Sequence, residues 1–399
     1  MLPPLGESLM LFYCPPIRGP PSSDGTALLV VIEESHQPAG PLCGISAGRP
    51  LNHRKVTLPM AYIEAIARPQ AEQVPPVVRE LRAVFDALDD EPLLAHLAGP
   101  TRRGPKGYAM RVLWQCFVAK HRLGVHSTDA MIRALHDNPY LAAVCGIDSP
   151  DAVPHKSTFS RFFAKLASDQ VSLRMVKDVS RRLVRHHYAT LPGFGQRVAI
   201  DSTTLKGWVN GGKGKKVDPD AGWSVKKGTQ GVKEYVFGYK LHLLVDAEYE
   251  LPIAANVSAG NVHDVLRASN VLSEARFTYS KFHPRYVLAD AGYSSAALHH
   301  VIVAQYTATP VIDLNPKHKR DRTRRDGFYG SPEWKAIYKQ RQAVERAFSR
   351  LKGQRALNNI RVRGLRKTTV HCYLSLIAMQ ARAIASNSQH LRAESCFRR

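Results

Sequence analysis

Apolar residues up to about residue 190 recur with a helical period, whereas beyond Pro192-Gly193 they fall into short continuous or alternating runs. In the first region Val77, Val78, Leu81, Val84, Phe85 and Leu88 predict one helix over 74–97, with Pro75 and Pro76 at its start. Further helical patterns occupy 108–123, 128–136 and 140–145, and a long basic one, 171–187, closes the region. The stretch 153–166 predicts another basic amphipathic helix, opened by a Ser or Thr cap. Its pattern fits two readings: the recognition helix of a helix-turn-helix, or a bundle helix that buries Phe159, Phe162, Phe163 and Leu166.

The second region starts with a β-rich run, Val198-Ala199-Ile200, that ends in Asp201. A Gly- and Lys-rich loop is predicted over 207–231. Phe237, Tyr239, Leu241, Leu243 and Val245 then alternate, and with 251–257 they predict an antiparallel hairpin. After a helix over 263–275, Tyr286-Val287-Leu288-Ala289 forms a second buried strand ending in Asp290, followed by a helix over 294–305 and a short strand over 309–314. A basic loop, 316–330, leads to a helix around 338–352, and an apolar helix over 369–385 is the last element. The order strand, hairpin, helix, strand, helix, strand, helix gives a mixed sheet with helices on its faces.

The segment from Tyr338 to Lys352 lacks proline, carries Gly neither at its start nor inside, and predicts one long helix. At about 100° per residue, Tyr338, Arg341, Glu345 and Lys352 share an arc of roughly 60°. Ile337, Val344, Phe348 and Leu351 form an apolar face beside that stripe, so the stripe borders a buried surface. A carboxylate between a phenol and the cations Arg341, Arg346 and Lys352 suits a metal-binding group whose neighbours hold phosphates.

Two aspartates at the ends of apolar strands, where α/β sheets build ligand sites, add two more carboxylates. Each alone reads as a turn or cap residue. As a set with Glu345, Asp201 and Asp290 supply three hard oxygen donors, a chemistry that holds two Mg²⁺ or Mn²⁺ ions for in-line displacement at phosphorus. Asp246 is assigned to the hairpin turn, and His263 and Asp264 to caps of the following helix. Trp208, Trp223 and Trp334 are candidates for stacking on an unpaired base, with local packing as the alternative.

The spacing of Tyr338, Arg341, Glu345 and Lys352, with two, three and six residues between them, resembles the Y-R-E-K signature of bacterial insertion-sequence transposases of the DDE type. Residues 196–366 are similar to that family around Asp201, around Gly238-Tyr239-Lys240 and His263-Asp264, and around Ala289-Asp290-Ala291-Gly292-Tyr293; residues 100–166 resemble it more loosely. The resemblance implies an α/β ribonuclease-H-like catalytic domain over 193–388, preceded by an all-α N-terminal DNA-binding domain over 56–192. It implies that Asp201, Asp290 and Glu345 are the metal-binding catalytic triad and that Tyr338, Arg341 and Lys352 grip DNA phosphates. It further implies two Mg²⁺ or Mn²⁺ ions as cofactor, double-stranded DNA (transposon ends and target) as partner, a homodimer on DNA, and a cytoplasmic, nucleoid-associated location. The alternatives are a cellular nuclease on the same fold and a catalytically idle, transposase-derived DNA-binding protein. The 54 residues between Asp290 and Glu345 are too few for the β-rich insertion that some relatives carry there.

Charge strengthens this picture. The 399 residues hold 56 Lys and Arg against 33 Asp and Glu, and a net charge of +23 makes a polyanion the default partner. No stretch approaches the roughly 18 uncharged apolar residues of a spanning helix, which favours nucleic acid over membrane. Cys14, Cys43, Cys116, Cys145, Cys372 and Cys396 show no metal-ligand spacing and predict separate reduced thiols. Residues 1–55 are rich in Pro, Gly and Ser, and their one short apolar run, 27–32, has no evident partner. They are expected to be disordered or an extension outside the fold, as are the polar residues 389–399.

Overall fold

A computed structural model describes residues 26–31, 54–59, 75–99, 107–209, 217–227, 232–315 and 327–397. The basic segments 100–106, 210–216 and 316–326, and the stretch 228–231, lie outside the described residues. The chain divides into two compact units, Met1–Val74 and Pro75–Arg399. In the first, β1 (Thr26–Val31) pairs antiparallel with β2 (Arg54–Pro59). The apolar run near residue 27 therefore does have a partner, one whose own sequence, Arg54-Lys55-Val56-Thr57-Leu58-Pro59, is too polar to announce itself.

The second unit begins with helices: α1 (Pro76–Asp86), α2 (Glu91–Ala98), α3 (Met110–Arg122), α4 (Thr128–Asp137), α5 (Pro139–Val144), α6 (Lys156–Leu166) and α7 (Gln170–Thr190). The single helix expected over 74–97 is two, because the chain turns between Asp86 and Glu91, where the Asp90 carboxylate accepts the buried Trp114 indole N–H at 2.7 Å. α6 is capped by His155, which accepts the Ser157 N–H, rather than by Ser or Thr. Its Phe159, Phe162 and Phe163 surround Phe117 of α3 with ring centroids 5.3–5.9 Å apart. The apolar face of α6 is thus bundle core, as one of its two readings required.

The sheet contains β3 (Arg197–Lys206), β4 (Gly222–Lys227), β5 (Lys233–Asp246), β6 (Pro252–Ala259), β7 (Tyr286–Ala289) and β8 (Thr309–Ile312). Its order is β4-β5-β3-β7-β8, with β6 also on β5. The long β5 pairs with β4 along its first half and β6 along its second, and with β3 on its other edge. β7 and β8 run parallel to β3 and to each other, so the sheet is mixed, as predicted. β4 lies within the expected loop; Trp223-Ser224-Val225 carries the alternation, but flanking glycines and lysines mask it. Gly238 allows β5 to pass β3, since a Cβ there would collide with the Leu205 carbonyl oxygen.

Helices α8 (Val265–Thr278), α9 (Ala296–Tyr306), α10 (Pro332–Lys339), α11 (Gln342–Gln354) and α12 (Leu365–Phe397) complete the unit. α11 lays Ala343, Val344, Ala347, Phe348 and Leu351 on β3 and β5. α12 runs well past the predicted 369–385 and packs on α1, α3, α7 and β6. Gly364, at φ +87°, turns the chain into it, and Asp218 and Asp220 accept the Gly364 and Leu365 N–H groups at its start. Several of its buried polar side chains are paired across the core: Gln380 with Ser180 and the Pro252 carbonyl, Tyr373 with the Ala255 carbonyl, Ser375 with His121. Among the described residues no helix is long and apolar enough to cross a membrane, and Cys116, Cys145 and Cys372 are buried free thiols.

Candidate active site

Parallel pairing fixes the first two acids. Ala199 of β3 stands opposite Leu288 of β7, so Asp201 and Asp290 lie two residues further along neighbouring strands, at the same level. Asp201 accepts the Ser202 N–H at 2.7 Å, and its other oxygen lies 3.8 Å from Arg341. Burial, and then the adjacent Asp290 charge, push the Asp201 pKa up to about 7 despite the Ser202 N–H and Arg341. Asp290 caps the short 3₁₀ turn Ala291–Tyr293 by accepting the Gly292 N–H at 2.9 Å.

Other groups face these acids. Asp264 makes no side-chain cap for α8, contrary to expectation; it binds Lys240 at 3.0 Å and adds a negative field at Asp201. Its reach across to β5 explains why: a buried-edge lysine is a stronger partner than a helix N–H. His242, buried on β5, contacts Ser258 at 2.8 Å and has its pKa lowered to about 4 by burial. Tyr293 is buried, and burial together with Asp201, Asp264 and Asp290 raises its pKa, so it is a neutral hydrogen-bond donor. Neither Asp264 nor Tyr293 stood out as a site residue in sequence, although both lie in the segments that carried the family resemblance. Asp246 is structural: its carboxylate accepts N–H groups from Gly195, Glu248 and Tyr249.

The helix around 338–352 is two helices. Between them the bonds tighten, Gln340 N–H to Ile337 and Arg341 N–H to Tyr338, and both residues keep right-handed backbone angles. The stripe survives this joint. Arg341 contacts Glu345 at 2.7 Å while reaching Asp201, and its guanidinium lies over the Tyr338 ring at 5.9 Å. Lys352 follows Glu345 by two turns on the same face. Arg346, grouped with these cations in sequence, leaves them to pair with Glu250 in the β5–β6 turn, where Arg350 joins it.

Of the tryptophans, Trp334 is buried and stacks on Tyr338 at 4.7 Å, which removes it as a base platform. Trp223 packs on Phe237, and Trp208 remains half exposed with Arg361 over its ring at 5.3 Å.

The fold thus brings Asp201 beside Asp290 and links Asp201 to Glu345 through one arginine. Among the described residues no group of three or more His, Cys, Asp or Glu is arranged to hold a metal ion; Glu345 faces Arg341, with its side chain 52% exposed. The arrangement supplies two adjacent carboxylates, a neutral phenol donor and a fixed cation beside them.

Comparison with protein families gives two matches. Residues 192–380 match the transposase DDE domain, and residues 69–165 match the transposase domain DUF772. No solved structure matches the chain.

Proposed function

Because the chain belongs to the insertion-sequence transposases of the DDE type, we propose that it binds the terminal inverted repeats of its own element, cleaves the ends by metal-dependent hydrolysis and joins them to target DNA. The observation that supports this most directly is the in-register pair Asp201 and Asp290, tied to Glu345 through Arg341. The donor set fits a hard divalent cation, since it holds carboxylates and no soft ligand, and the burial that raises the Asp201 pKa leaves that acid short of positive charge. Asp201, Asp290 and Glu345 would hold Mg²⁺ or Mn²⁺. Such ions, when bound, activate the attacking water or 3′-hydroxyl and stabilise the leaving oxygen.

The remaining roles belong to the chain itself. Arg341 balances Asp201 and Glu345 and, with Tyr338 and Lys352, binds phosphates of the transposon end. Trp334, stacked on Tyr338, fixes the phenol in place. The mixed sheet with α11 on its face is the ribonuclease-H-like catalytic domain of 193–388, and the helices of 56–192 form the DNA-binding domain. Two ends must be joined in one reaction, so a homodimer on double-stranded DNA is the working species in the nucleoid.

The test uses supercoiled plasmid bearing two inverted repeats, with Mg²⁺ and with chelator. Wild type should cut and join the ends only with Mg²⁺. Glu345→Gln, which keeps shape and removes charge, should abolish cutting while retaining DNA binding, and Lys352→Ala should lower the salt slope of binding by about one ion. Cutting without joining would favour a cellular nuclease, and full metal-dependent cutting by Glu345→Gln would defeat the assignment.

A further inference from the structure

A cavity of about 470 Å³ lies away from the acids, between α3, α4, α6, the start of α12 and the connector 355–364 that leads from α11 to α12. Its volume falls in the range of small-ligand sites. The floor is aromatic, with Phe117, Phe159 and Phe163. Its walls carry five basic side chains, Lys120, Lys156, Arg361, Arg363 and Lys367, against one carboxylate, Asp129, which Lys156 already neutralises at 2.9 Å.

Lys120 is the informative group. It is only 6% exposed, it lines the cavity, and among the described residues it has no hydrogen-bond or carboxylate partner. Burial, and then the like-charged Arg361, bring its pKa down to about 8, so it is still mostly protonated at neutral pH. A buried, unpaired ammonium is costly to the fold. An anion entering the cavity would supply the missing partner.

Trp208 gives the anion a second feature. It lines the same cavity, and its indole remains half exposed. It follows Asp201 by seven residues, on the order of 20 Å along an extended chain, so the cavity is distinct from the acid cluster. An aromatic ring at the mouth of a cationic cavity suits a ligand with a flat base at one end and phosphate at the other.

We propose that this cavity is a nucleotide site, in which Lys120 and Arg361 hold the phosphate and Trp208 stacks on the base of one unpaired nucleotide. The nucleotide is either extruded from bound DNA or free in solution. The first source rests on the transposase reading; the second does not.

The experiment uses the full chain and two probes: deoxyadenosine 5′-monophosphate, followed by titration calorimetry, and a duplex with a single unpaired adenosine compared with its fully paired counterpart. Lys120→Met keeps side-chain length and removes the unpaired charge. Its melting temperature should stay level or rise, which a structural role for the lysine would not allow. Wild type should prefer the bulged duplex or bind the mononucleotide, and Lys120→Met and Trp208→Ala should each cut that preference or binding by about tenfold or more. Loss with the bulged duplex alone identifies an extruded nucleotide, and loss with the monophosphate alone a free one. No preference and no binding in wild type, or both unchanged in the variants, overturns the proposal. Affinity for the fully paired duplex reports separately on the transposase reading.

Discussion

Asp201, half-buried, and Asp246, buried, stand on facing strands, three register positions apart on the β3–β5 ladder, yet they are held in opposite ways. Asp246 accepts three backbone N–H groups at the end of β5, and the adjacent turn is clamped to α11 through Glu250 with Arg346 and Arg350. Asp201 has one backbone N–H and a share in an arginine that also serves Glu345, and it faces Asp290 and Asp264. The first acid is satisfied by the fold. The second is left short of partners, which is the state expected of a group that must take up something from outside.

The largest effect that probes this contrast is on activity. Asp201→Asn should lower metal-dependent cleavage by on the order of 10³-fold or more, about 4 kcal/mol in the barrier, while the melting temperature holds or rises because a half-buried charge is gone. A melting temperature that falls sharply would make Asp201 a structural acid like Asp246. Asp246→Ala should do the reverse. Stranding its N–H donors costs about 3 kcal/mol of stability by denaturant titration, with the surviving folded protein still cutting DNA.

A pH titration of stability separates both acids from the helical core. His187 and His371 are buried and their pKa values are lowered to about 4, against an ordinary value of 6.5. The unfolded chain therefore takes protons that the folded one refuses between those values. Stability is complete above pH 6.5 and falls as pH drops towards 4, by on the order of 2–3 kcal/mol for each histidine. His187→Gln should flatten that fall; an unchanged profile would mean the ring is protonated in the fold. The smallest effect belongs to the clamp, where Arg346→Ala, half exposed, should cost no more than about 1 kcal/mol and leave cleavage intact.

Much of this was legible because its signals are local. Helical and alternating periods marked the bundle and the β5–β6 hairpin, apolar strands ending in aspartate marked Asp201 and Asp290, and the helical spacing placed Arg341 and Glu345 together. Where the reading went astray, a distant partner decided. Asp264 looks like a cap until Lys240 of β5 comes within reach, and Arg346 counts among the cations around Glu345 until Glu250 arrives from a turn 96 residues earlier. Trp334 is a candidate for stacking on a base until Tyr338 covers it.

The sequence by itself therefore determined most of the elements, the strand-end acids and the family signature, because periodicity, strand ends and helical spacing act over a few residues. Tertiary structure alone decided which charges are neutralised. It put Arg341 between Asp201 and Glu345. It also buried Lys120, which has no counter-ion among the described residues, in a cavity that Trp208 also lines, at a meeting of helices and a connector more than 200 residues apart in the chain. The state of a charge depends on desolvation and on partners a few ångströms away in space, and neither is a function of neighbours in sequence.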